Sequence, residues 1–78
     1  HYVSIGDFIR TLSKETQIAI YDTSKGEWIV GCDCAYDTVG FWDWNNLSDT
    51  LFVENVELHH DPDAGDGLWI DVAPDPRD

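Results

Sequence analysis

A chain of 78 residues with 16 Asp and Glu against 4 Lys and Arg carries a formal net charge of −12, which argues against nucleic acid and anionic membranes as direct ligands. With 42% hydrophobic residues, including four Trp, three Tyr and three Phe, it is too apolar for a disordered acidic tail. This length specifies a single domain over 1–78, frayed at about 1–3 and 74–78, with room for one core.

No stretch approaches the roughly 20 apolar residues of a spanning helix, and no secretion-signal pattern is present, so a cytoplasmic location is expected. The only two cysteines, Cys32 and Cys34, form a C-x-C pair, which suits a reducing compartment better than a disulfide framework. A disulfide within so short a loop would be strained.

In chain order, Ser4 and Asp7 have the spacing of a capping box, and Ile5, Phe8, Ile9 and Leu12 then fall on one helical face, predicting a helix over 5–13. Gln17 to Asp22 alternates as a strand with Ile18 and Ile20 inward. Thr23-Ser24-Lys25-Gly26 is a hairpin turn. Glu27 to Cys34 is its second arm, and strict alternation places Trp28, Val30, Cys32 and Cys34 on one face.

The stretch 35–50 reads as a loop with a helical turn, in which Phe41, Trp42 and Trp44 are either core lid or exposed anchor. A third strand runs over 51–60 with Phe52, Val56 and Leu58 on one face and Glu57 and His59 on the other. After an acidic turn over 61–67, a fourth strand over 68–72 points Leu68, Ile70 and Val72 inward. The fold expected is α+β: one amphipathic N-terminal helix on an antiparallel sheet of about four strands.

Two groups of residues point to chemistry. Cys32, Cys34, His59 and His60 offer the thiolate and imidazole donors that a structural zinc ion selects, provided that the ends of the second and third strands meet. The same residues admit a plainer reading, as two small buried thiols and two surface histidines. A four-ligand site is closed, so zinc catalysis is not expected, and no acid, base and nucleophile set points to an enzyme. The acidic turn departs from a calcium-binding loop, having Gly65, Asp66 and Val72 where such a loop needs an oxygen ligand, glycine and glutamate. The second group is the carboxylates Glu54, Glu57, Asp61, Asp63 and Asp66, candidate contacts for a basic protein surface built to hold nucleic acid.

The stretch Val3-Ser4-Ile5-Gly6-Asp7-Phe8-Ile9 through Thr16-Gln17-Ile18-Ala19-Ile20-Tyr21-Asp22 resembles the start of many short acidic proteins of phages and mobile elements of Gram-positive bacteria. Their helix leads into an I-x-I-Y-D strand, a hairpin and further antiparallel strands. The chain is similar to type II anti-CRISPR proteins, small inhibitors of the RNA-guided nuclease. The resemblance implies a non-enzymatic inhibitor in the bacterial host cytoplasm, occupying a basic surface of a CRISPR-associated nuclease or another nucleic-acid-binding protein and blocking loading. It implies no metal ligands and no contact residues. The chain is expected to be a monomer or weak homo-oligomer; the alternative function is a zinc-stabilised accessory or oligomerisation domain without inhibitory role, its acidity only solubilising and its metal site or Trp patch mediating homo-oligomerisation.

Overall fold

The computed structural model describes residues 2–40, 44–63 and 65–74, leaving the side chains of Cys32 and Asp61 outside the description. Its elements are α1 (Ile5–Arg10), β1 (Gln17–Asp22), β2 (Glu27–Cys34), α2 (Ala35–Val39), α3 (Trp44–Leu47), β3 (Phe52–Asp61) and β4 (Gly65–Ala73). The α+β class stands as expected. Helix α1 begins where the sequence places it, because the Ser4 hydroxyl accepts from the Asp7 amide at 3.2 Å. It ends three residues before the predicted boundary. There the Thr11 hydroxyl donates to the Phe8 carbonyl at 2.7 Å and the Leu12 amide to the Ile9 carbonyl at 3.1 Å, a tightened last turn.

The four strands lie in the order β2-β1-β4-β3. β1 and β2 are antiparallel, as are β3 and β4, but the central pair β1 and β4 is parallel, so the sheet is mixed rather than antiparallel. The reason lies in the chain path. β2 and β3 sit at opposite edges and run in the same direction, and such strands can be joined only by a crossover of a dozen or more residues. The stretch between them, expected to be a loop with one helical turn, is that crossover and holds α2 and α3.

Both hairpin turns obey local chemistry. Asp22 is buried, its carboxylate accepting from the Ser24 amide at 2.9 Å and the Ser24 hydroxyl at 2.6 Å. Gly26 closes that turn at φ +66°, and Gly65 starts β4 at φ +86°, positions that side chains other than glycine adopt only with strain.

One face of the sheet is covered. Ile18 and Ile20 of β1, Val30 of β2 and Ile70 and Val72 of β4 pack with Ile5 and Ile9 of α1, Ala35, Trp44 and Leu51 into one core. Trp44 is thereby assigned to the core; Phe41 and Trp42 lie outside the described residues. α1 docks through its first turn, the Ile5 amide donating to the Leu51 carbonyl at 2.8 Å and the Gly6 amide to the Ser48 carbonyl at 2.9 Å. Gly6 is required there, since a Cβ would stand 2.7 Å from that of Ser48. Val56 and Leu58 point to this side from β3 but lie at the sheet edge beyond the helices, and Leu58 remains 75% exposed.

Candidate functional site

Among the described residues no helix packs on the other face. Its composition follows from β-pleat alternation on β1, β3 and β4, which turns Ala19 and Tyr21, Asn55, Glu57 and His59, and Trp69 and Asp71 the same way. β2 joins them through two irregularities. Ile18 pairs with Asp33 but Ile20 with Val30, which puts one extra β2 residue between Val30 and Asp33, and Tyr21, the residue after Ile20, pairs with Trp28, which puts a second at Ile29. An inserted residue reverses the alternation beyond it. Trp28, expected to share the core face with Val30, is therefore on the open face and 50% exposed, while Ile29 packs at the margin of the core.

The rings then form a chain across the sheet. Tyr21 and Trp28 meet edge to face at a centroid distance of 5.0 Å, and Trp28 and Trp69 do so at 5.6 Å. Trp69 stacks on His59 at 4.2 Å with an interplanar angle of 16°. Two small residues make this possible. Ala19 lies beside Trp69 in the parallel pair and, although on the open face, is only 4% exposed, which places it as floor beneath the indoles. Gly67 stands opposite His59 and carries no side chain to compete with the imidazole for space.

Tyr21, Trp28 and Trp69 wall a groove of about 300 Å³ whose remaining lining is Glu57 and Asp71. Glu57 accepts a long bond of 3.4 Å from the Asn55 amide. The Arg10–Asp7 ion pair and the His60–Asp66 hydrogen bond lie away from the groove. Two carboxylates thus flank exposed aromatic rings on a chain of net charge −12, with no Lys or Arg among the described residues that line the groove.

The expected metal set does not assemble. β2 and β3 are opposite edges, so the ends that were to meet are separated by β1 and β4. Cys34 pairs with Gln17, Gln17 with Gly67 and Gly67 with His59, setting Cys34 and His59 three strand spacings apart. That is about 14 Å at about 4.8 Å per spacing, too far for side chains that must both approach one ion to about 2.0–2.3 Å. Cys32 shares the β2 backbone and hence the same edge. His59 faces the open side against Trp69, whereas His60 faces the helix side and pairs with Asp66. Among the described residues no group of three or more His, Cys, Asp and Glu is arranged to hold a metal ion.

The proposed carboxylates are divided rather than gathered. Glu57 lies on the open face; Asp66 is taken up by His60; Glu54, at a bulge in β3, accepts from the Thr23 hydroxyl; Asp63 is exposed in the β3–β4 turn. Asp61 is the last residue of β3, its side chain outside the description. Asp71, Trp28 and Tyr21 join the site from strands not credited with contacts. The parity of Trp69 between Leu68 and Ile70 signals an outward indole, but nothing in sequence marks the two extra residues in β2. No helix among the described residues is long and apolar enough to cross a membrane. Comparison with known proteins finds no matching family model, no matching curated protein and no matching solved structure.

Proposed function

We propose that this chain is a non-enzymatic binding module that occupies a basic, nucleic-acid-handling surface of another protein and so blocks loading of nucleic acid. The observation that carries this reading is the uncovered sheet face, where Tyr21, Trp28 and Trp69 form an exposed aromatic groove edged by Glu57 and Asp71. Exposed indoles supply contact area at low entropic cost, and surrounding carboxylates select a partner rich in Lys and Arg. The net charge of −12 speeds encounter with such a surface and repels nucleic acid itself.

An RNA-guided nuclease is the partner class to test first, in keeping with the resemblance to anti-CRISPR proteins; Glu54, Asp63 and Asp66 add carboxylates along the β3–β4 hairpin. The test combines target cleavage with guide and target loading at low salt and excess protein. Inhibition with loss of loading, accompanied by binding that weakens as salt rises, supports the reading. Uninhibited cleavage with no detectable complex removes the nuclease, and absence of binding to any basic nucleic-acid-handling protein removes the reading.

A further inference from the structure

We infer that the open-face groove is a receptor for a single arginine side chain of the partner protein, with Trp28, Trp69 and Tyr21 as its walls and Glu57 and Asp71 as its acceptors. This rests on the proposed function and names the anchor of that interaction. The ring geometry comes first. Trp28 makes interplanar angles of 65° with Tyr21 and 71° with Trp69, so the rings stand as walls of a cleft rather than as the flat platform that suits a sugar ring or a nucleobase. One side of Trp69 is already taken by His59. A cleft of aromatic walls attracts a cation through the quadrupole of each ring, most strongly for Trp.

The carboxylates decide which cation. Glu57 and Asp71 come from neighbouring strands, and the residues that lie across from them, Trp69 and Asn55, bring no positive charge. A quaternary ammonium would stack in the cleft and leave both carboxylates without a donor. Lysine offers a compact, strongly hydrated charge with no plane to stack. A guanidinium is flat, weakly hydrated and carries five N–H donors in its plane, so it can lie against an indole while donating outward to two acceptors. The occupant is another protein rather than a second copy of this chain, because two chains that each carry a net charge of −12 repel one another.

The probe is N-acetyl-arginine amide, titrated into the full chain at constant ionic strength while the tryptophan indole N–H resonances are followed. The expected result is saturable shifts at Trp28 and Trp69 in the millimolar range, with core Trp44 as the internal reference. The isosteric neutral N-acetyl-citrulline amide should leave these resonances in place. The E57Q/D71N variant, whose near-isosteric changes fall on surface-facing side chains, should weaken arginine at least about 5-fold while its thermal melt stays close to that of the parent. Equal shifts with citrulline, tighter saturation by tetramethylammonium or lysine amide than by arginine, or no saturation at all would each overturn the assignment. The broader reading fails separately. A nuclease complex unaffected by E57Q/D71N, with a silent arginine titration, removes the anchor and keeps the inhibitor. Arginine capture without any nuclease complex keeps the groove and removes that partner.

Discussion

The two faces of the sheet are built from the same strands and differ in what the chain lays over them. On the helix side, Ile18, Ile20, Ile70 and Val72 are sealed by α1 and by the β2-to-β3 crossover, and shape complementarity there is close enough for Gly6 to be needed against Ser48. On the open side, Trp28 and Trp69 pack against each other, Tyr21, His59 and the Ala19 floor, with Trp28 half exposed and Trp69 39% exposed. A small domain has little apolar surface to spare, and the three large rings left partly in water beside Glu57 and Asp71 are what the proposed binding role rests on. The lesson is a separation of duties: one face folds the chain, and the other is free to vary in contact without unfolding it.

That separation can be broken first at Ile70, which is 0% exposed. Ile70→Ala should cost about 2–5 kcal/mol in denaturant unfolding, while the folded fraction retains its partner affinity. Loss of affinity in protein shown to be folded would mean that the faces are coupled. Gly6→Ala should cost about 1–3 kcal/mol, because the new methyl must push Ser48 and its carbonyl away from α1. A neutral result would show that the α1 contact is loose.

Trp28→Ala tests the other face. It should lose about 1 kcal/mol of stability, the scale of its two ring contacts, and much more in partner binding, since indoles dominate where they are interface anchors. Reversal of that ranking, with stability hit hardest, would make the aromatic chain a second core. Smallest in stability is E57Q/D71N, expected within about 0.5 kcal/mol by chemical melt, with a shallower salt dependence of partner binding. An unchanged salt dependence would place the electrostatic contacts elsewhere on the surface.

Much of the fold was legible because its signals are local. The Ser4 cap, the alternation of Ile18 and Ile20, the turn at Asp22 to Gly26 and the inward set Leu68, Ile70 and Val72 depend on residues near one another in sequence. The candidate site was legible in part. Glu57 and His59 are correctly placed opposite Val56 and Leu58, yet Phe52 and Trp28 are misplaced because alternation assumes an unbroken pleat, which a register shift interrupts between Val53 and Asn55 in β3 and at Ile29 in β2. The zinc set fails for a different reason. C-x-C and His-His each sit at a strand end as expected, but nothing local states that the two strands are opposite edges of the sheet.

By itself, then, the sequence determined where elements begin and turn, which residues can be buried, and that the surface is acidic, since capping, φ preference, hydrophobic period and charge are properties of short stretches. Only the tertiary structure decided strand order, the parallel central pair, and the meeting of Trp28 from β2 with Trp69 from β4 over Ala19. These are contacts between distant segments, selected by how the crossover closes one core and by the register shift at Ile29, one of two in β2, that turns an indole from that core to the face left open.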